Sequence, residues 1–192
     1  MVTITIITPC SRPENLERIV QSIDFNYIDQ WIIVYDQKKV ENNVNKFRSH
    51  PYSDKIVEYI YTEENCSWGN GQRNYAMSKV ENKNTFLYFL DDDNIIHPNL
   101  YTLLQDINDE PLLYTFMQDN YGTISTGDRL YISGIDTAMF LIHYDLCKTI
   151  TWDVSKREAD GLFFLECYHN NMNKHKYIEK VLCYYNYLHH YP

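Results

Sequence analysis

Apolar positions along the chain alternate between short β-branched runs and stretches of helical period. Val2 to Ile7 (V-T-I-T-I-I) predicts a first strand over 2–7, ending at Thr8-Pro9. Ser11-Arg12-Pro13-Glu14 then reads as a capping box with Pro in the first turn, opening a helix whose apolar stripe is Leu16, Ile19, Val20 and Ile23. Trp31 to Tyr35 is a second strand ending at Asp36, a polar helix is expected over 39–48, and 56–61 is a third strand. Asn70-Gly71 opens a helix running to about Val80. Thr85 to Leu90 (T-F-L-Y-F-L) is apolar throughout and runs into Asp91-Asp92-Asp93-Asn94. A strand without polar alternation is covered on both faces, as in a parallel sheet between helices. A helix over 98–108, two or three strands across 112–142, a second capping box at Ser155 to Glu158 with a helix to about Asn171, and a strand near 177–185 complete the pattern. The expected fold is α/β: one domain with a mixed, mostly parallel central sheet flanked by helices.

Composition narrows the function without naming it. A length of 192 residues fits one domain at roughly 150 residues each. The net charge of −9 excludes a general nucleic-acid binder, which needs clustered Lys and Arg on phosphates. No run approaches the roughly 20 apolar residues of a membrane span. The start of the chain lacks the basic region of a signal peptide, and the five cysteines (Cys10, Cys66, Cys147, Cys167, Cys183) include no C-x-x-C. Reduced thiols and a cytoplasmic location, host cytoplasm if the chain is viral, are the expectation.

Ligands of open α/β sheets bind beyond the carboxyl ends of the strands, so Thr8-Pro9, Asp36 and Asp91 to Asp93 are the informative positions. Neither G-x-G-x-x-G nor G-x-x-x-x-G-K-[ST] occurs, which argues against a dinucleotide or P-loop site. Three adjacent carboxylates at the end of a buried strand repel one another, and a hard divalent cation would offset that and clamp a pyrophosphate. Arg73, within Gln72-Arg73-Asn74, is placed to pair with the aspartates or a phosphate. Trp152 and Trp68 are candidates for stacking on a sugar face, and a core or rim position suits Trp152 equally.

Thr8-Pro9 with Arg12-Pro13, Asp36, Gln72-Arg73-Asn74 and Asp91-Asp92-Asp93-Asn94, in this order, resemble nucleotide-sugar glycosyltransferases of the GT-A fold (a Rossmann-like single domain). Ile135-Asp136-x-Ala138-x-Phe140 and Asp160-Gly161-Leu162-Phe163 are most similar to the inverting glucuronyltransferases among them. The resemblance implies a UDP-sugar donor, a carbohydrate or glycan acceptor and Mn²⁺ or Mg²⁺. Residues 1 to about 94 would form the nucleotide-sugar half, and about 95–192 the acceptor half. It assigns Thr8, Pro9, Arg12, Asp36, Arg73, Asp91 and Asp92 to the nucleotide-sugar, with Pro9 and Asp36 at uracil and Asp92 at ribose. Asp93 would be the main metal ligand, with Asp91 beside it. His189 or His190 would supply a metal or phosphate contact where the glucuronyltransferases carry a His. Asp136 would contact the transferred sugar or the acceptor, and Asp160 would be the base.

Glu158 competes with Asp160 for that role. At the third helical position of a capping box its carboxylate would be held by the backbone, which leaves Asp160 the better base. The alternatives still open are a retaining enzyme of the same fold, a sugar nucleotidyltransferase and an inactive carbohydrate-binding domain. The nucleotidyltransferase is disfavoured because Thr8 to Pro13 contains no Gly.

Overall fold

The computed structural model describes residues 2–40, 45–63 and 68–189. Its strands are β1 (Ile4–Cys10), β2 (Ile28–Asp36), β3 (Ile56–Tyr61), β4 (Phe86–Phe89), β5 (Ile95–Ile96), β6 (Leu113–Asn120), β7 (Thr123–Ser125), β8 (Phe140–His143) and β9 (His175–Tyr184). Its α-helices are α1 (Leu16–Ile19), α2 (Asn70–Lys79), α3 (Asn99–Asp106), α4 (Tyr144–Cys147) and α5 (Ala159–Asn170). One sheet runs β3-β2-β1-β4-β8-β6-β9-β5, with β7 paired to β6. The β3-β2-β1-β4 half is parallel. The other half is mixed, because β8 and β5 run antiparallel to their neighbours while β6 and β9 are parallel.

Two apolar layers cover the sheet. Leu16, Ile19 and Val20 of the α1 region and Leu100, Leu103 and Leu104 of α3 pack on Ile4, Ile6, Trp31, Ile33 and Tyr88. Ala76 and Met77 of α2 and Phe163, Phe164 and Cys167 of α5 pack on Ile7, Ile32, Val34, Leu87 and Phe89. All of β4 is buried, as its unbroken apolar run requires. β1 extends past the predicted end through Pro9, which pairs in register with Val34. Ile7 O accepts the Leu90 N–H on the β4 side, and alternation turns Pro9 to that side beyond the last β4 partner. The missing proline N–H therefore removes no ladder bond.

Both capping boxes fail. After β1 the chain makes a 3₁₀ turn (Pro13–Asn15), the four-residue α1 and a second 3₁₀ turn (Val20–Ser22), with no side-chain cap. α5 begins at Ala159, so Glu158 lies at its N-cap and not at its third position. In both places the serine bonds a nearby aspartate instead: Ser11 to Asp92, and Ser155 to Asp153. The predicted polar helix over 39–48 falls partly outside the described residues, and its described flanks are turns. Cys66 and His190 also lie outside them, while Cys10, Cys147, Cys167 and Cys183 are free and buried. Among the described residues no helix is long and apolar enough to cross a membrane.

Candidate active site

The chain passes from β1 to β2 on one side and returns to β4 on the other, so strand order reverses between β1 and β4. Two cavities open at the strand ends there, as this topology dictates. The smaller, of about 320 Å³, is lined by Pro9, Ser11, Arg12, Asp36, Gly69, Gln72 and Asp91 to Asp93, among others. The larger, of about 540 Å³, is lined by Asn70, Gln118, Ile132, Asp136, Thr137, Arg157, Glu158 and Asp160, among others. Trp68, Arg73, Asp91 and Tyr185 line both.

Asp92 holds the β1 exit in place. One of its carboxylate oxygens accepts the Ser11 N–H at 2.6 Å and the Arg12 N–H at 2.8 Å. The other accepts Arg12 Nε at 2.9 Å and pairs with Nη2 of the same guanidinium. Both oxygens are engaged at the β1 exit, and the carboxylate also lines the smaller cavity. Arg12 Nη2 also lies 2.8 Å from Asp93, and Nη1 is 2.9 Å from His189 Nδ1. An arginine N–H on Nδ1 makes that nitrogen the acceptor, which places the imidazole proton on Nε2. His189 Nδ1 is 3.8 Å from Asp93. Burial, with Asp91 and Asp92 adding repulsion that Arg12 opposes, raises the Asp93 carboxyl above its ordinary value.

Asp91 joins the two cavities. It pairs with Arg73 Nη2 and accepts a 2.8 Å hydrogen bond from Thr137 Oγ1. Arg73 is buried over the face of Trp152, 4.8 Å from the ring centroid, and its Nη1 donates to Trp68 O at 2.8 Å. Among the described residues its Nε is buried without a hydrogen-bond partner. The loop before α2 presses on the site. Gly69 has φ +78°, and a Cβ there would sit 2.8 Å from the Pro9 ring, so only glycine fits.

Two asparagines of α2, absent from the sequence reading as functional residues, connect the halves. Asn70 Nδ2 donates to Asp153 O at 3.0 Å and Lys156 O at 2.9 Å, and Asn74 brackets Trp152. These bonds fix the segment that leads into α5 and so place Asp160 in its first turn. Burial pushes Asp160 up to about 6, against the Gly161 N–H and Arg73, which favour its charged form. Burial first, then Asp91 and Asp160, push Asp136 up to about 7.

Other expectations need correction. Thr8 is fully buried and its Oγ1 accepts from Trp31 Nε1 at 3.0 Å, so it supports the core and lines neither cavity. Trp152 is 2% exposed and stacked on Phe163 at 4.4 Å between ring centroids. It is the platform beneath Arg73 and offers no face for a sugar. Trp68, 57% exposed, holds the rim position. Glu158 is exposed and lines the larger cavity without the capping duty expected of it.

The strand-end carboxylates are hard oxygen donors of the kind Mg²⁺ and Mn²⁺ prefer. Among the described residues no three His, Cys, Asp or Glu side chains converge so as to hold a metal ion by themselves. Asp93 with Asp91 nearby fits a cation that takes one or two carboxylates and leaves its other positions to phosphate oxygens.

Among curated proteins, sequence comparison finds no match. Solved structures give the fold. The S. aureus TarS 1-349 structure in complex with UDP is 15% identical with a TM-score of 0.75, covering 95% of this chain and 60% of that one. The mannosyltransferase PcManGT from Pyrobaculum calidifontis, in complex with GDP-Man and Mn²⁺, is 11% identical with a TM-score of 0.66, covering 93% and 54%. A 4-diphosphocytidyl-2C-methyl-D-erythritol synthase is 14% identical with a TM-score of 0.53, covering 85% and 86%. The chain spans about three fifths of the TarS 1-349 structure. Its sequence matches the glycosyl transferase family 2 over residues 5–180, a match to the GT-A fold that does not extend to the glucuronyltransferase subtype. With nine-tenths of its length inside that match, the chain belongs to glycosyl transferase family 2 and is a glycosyltransferase domain of the GT-A fold.

Proposed function

We propose that this chain transfers a sugar from a UDP-sugar to a hydroxyl of a carbohydrate acceptor, with inversion at the anomeric carbon. The observation that carries the reading is the pair of cavities sharing Arg73, Asp91, Trp68 and Tyr185. The smaller takes the nucleotide, with Pro9 and Asp36 at the base. The larger takes the acceptor, with Asp136 on sugar hydroxyls and Asp160 as base. Residues 1 to about 94 thus supply most of the donor site, and later residues most of the acceptor site. TarS in complex with UDP gives the uridine donor its support by likeness.

Asp93 and Asp91 would hold Mn²⁺ or Mg²⁺, which supplies positive charge to the departing diphosphate. Arg12 and Arg73 add positive charge on either side of it. Asp160 accepts the proton of the acceptor hydroxyl as its oxygen bonds to the anomeric carbon. The bond from that carbon to the UDP oxygen breaks, and UDP leaves. A buried carboxylate with a raised pKa is a stronger base than a free one, provided it is ionised. The free buried cysteines support a reducing, cytoplasmic setting.

Incubation with UDP-sugars and a panel of simple glycosides, with Mn²⁺ or with EDTA, tests the reading. Metal-dependent UDP release with an inverted anomeric product is the expected result. Retention of configuration would move the chemistry to a retaining mechanism. Binding of UDP without release would mark a binding domain. The erythritol synthase shares the fold, and consumption of a nucleoside triphosphate with pyrophosphate release would mark the nucleotidyltransferase alternative instead.

A further inference from the structure

The β6–β7 hairpin carries an unusual residue at its tip. Asn120 pairs with Thr123, so Tyr121 and Gly122 form a two-residue loop. Both have positive φ, +50° and +89°. That is the geometry of a type I′ turn, whose first central position favours Asn, Asp or Gly. A bulky side chain in the left-handed region is strained. The tyrosine is also 55% exposed, so core packing does not account for it.

Its contacts do. The Tyr121 ring stacks on Tyr187, with centroids 6.0 Å apart and planes at 10°. Its hydroxyl donates to Tyr187 O at 2.9 Å and approaches Asn186 O at 3.4 Å. The segment it grips, 185–189, walls the smaller cavity through Tyr185 and Asn186. Tyr185 N–H donates at 2.8 Å to the carbonyl of Asp119, two residues before Tyr121 on β6, and Asn186 N–H to Asn94 Oδ1 at 2.8 Å. Leu188 N–H donates to Asp93 O at 2.8 Å, and His189 Nδ1 meets Arg12. Asn186 itself has φ +53°, a left-handed position that asparagine tolerates, so the strap turns sharply there. The segment thus reaches the acidic strand end at Asp93 and Asn94 and the β1 exit at Arg12, and Tyr121 is its outer fastening.

We propose that Tyr121 is a positioning residue for the donor: it holds the 185–189 strap against Asp93, Asn94 and Arg12, so that the nucleotide cavity is preformed. The proposal rests on the donor-site reading above. Ordering a binding wall before the ligand arrives removes an ordering cost from binding.

Tyr121→Asn and Tyr121→Phe in the full chain test it. Asparagine suits the turn and removes both ring and hydroxyl, while phenylalanine keeps the ring. Hydrogen exchange at the amides of Asn186, Leu188 and His189 should accelerate in Tyr121→Asn, with the β6 and β9 amides unchanged. UDP affinity with Mn²⁺, read by calorimetry, should fall roughly tenfold in Tyr121→Asn, the equivalent of one lost hydrogen bond's worth of ordering. In Tyr121→Phe the loss should be smaller. A variant that melts as cooperatively as the parent but binds UDP more weakly separates positioning from stability. Unchanged exchange in the strap overturns the fastening, and faster exchange with unchanged UDP affinity overturns its role toward the donor. Failure of the parent itself to bind UDP sinks the donor reading and this role with it, whereas the exchange result still decides whether Tyr121 fastens the strap.

Discussion

Asn74 and Trp152 exchange two hydrogen bonds: the side-chain amide of Asn74 donates to the Trp152 carbonyl at 2.9 Å and accepts the Trp152 N–H at 2.8 Å. The pair mimics a ladder rung between a helix of the first half and the segment that introduces α5. Asn74→Ala should cost about 2 kcal/mol, one net unit for each bond. In a chain of this size that lowers the melting temperature by about 4–8 °C. The larger effect should fall on turnover, because misplacing a base by about an ångström can cost on the order of 10² in rate. UDP affinity should fall less than turnover does, since the Trp152 ring that carries Arg73 stays packed on Phe89 and Phe163 without this rung. Equal turnover in the mutant and the parent would remove the link between α2 and Asp160.

Gly161 sits where α5 meets the loop carrying Ile132. A Cβ there would lie 1.8 Å from Ile132 O, against backbone that has no flexible end to yield. Gly161→Ala should therefore displace the 132 loop, which lines the larger cavity, rather than the helix, which is anchored by Phe163 and Phe164 in the core. Acceptor KM should rise by about tenfold or more while UDP binding persists. Kinetics with varied acceptor, set beside UDP calorimetry, would check this, and an unchanged acceptor KM would contradict the packing argument.

The parts of the fold visible in the sequence are those encoded by local pattern. The β4 run, Phe86 to Phe89, is buried throughout, and the acidic turn that follows it does line the site. What the sequence hid depends on partners far along the chain. Ser11 has the spacing of a cap, yet Asp92, eighty-one positions on, takes its hydrogen bonds. Trp152 looks like a sugar platform until Phe89 and Phe163 close around it. Asn70 and Asn74 lie four apart on one helix face, a spacing that reads as a solvated stripe, and only the fold brings 152–156 against them. The α4 turn at Tyr144–Cys147 was not expected because its four residues show no period.

The pH dependence of turnover should report Asp160. Its carboxyl is pushed up to about 6 by burial, so the basic form is lost as pH falls through that value. The rate should fall below about pH 6, and Asp160→Asn should reduce turnover by about 10²–10⁴-fold at pH 7 and above, with the gap narrowing as pH falls below about 6. Stability carries the opposite sign from an ordinary ion-paired carboxylate. The folded state binds this proton more tightly than the unfolded state does, so the contribution of Asp160 to stability declines as pH rises from about 4 to about 6. Asp136, pushed up to about 7, extends that window. Relative to the parent, Asp160→Asn should be more stable at pH 7 and converge with it near pH 4. Denaturant melts at the two pH values measure this, and a difference that does not change with pH would mean that Asp160 is not buried as a charge.

Nucleotide choice should trace to Asp36. This residue ends β2 and lines the smaller cavity with Pro9 from the neighbouring strand. Its Oδ1 accepts the Lys38 N–H at 3.0 Å, which orients the carboxylate at the strand end. An ionised carboxylate only accepts, and its two oxygens offer about four lone-pair sites. Uracil presents an N3–H to such a group. Cytosine presents a lone pair at N3, which meets the carboxylate with repulsion and leaves its hydrogen bond unmade. An unmade buried hydrogen bond costs about 1–3 kcal/mol, or roughly tenfold or more in affinity. UDP should therefore bind more tightly than CDP, and Asp36→Ala should shrink the gap by weakening UDP more than CDP. The contacts around the diphosphate are common to both ligands, so the difference isolates the base. Calorimetry with UDP, CDP and GDP at fixed Mn²⁺ provides the measurement. Equal affinities, or a preference for GDP, would show that Asp36 does not read uracil and would move the donor to another nucleotide.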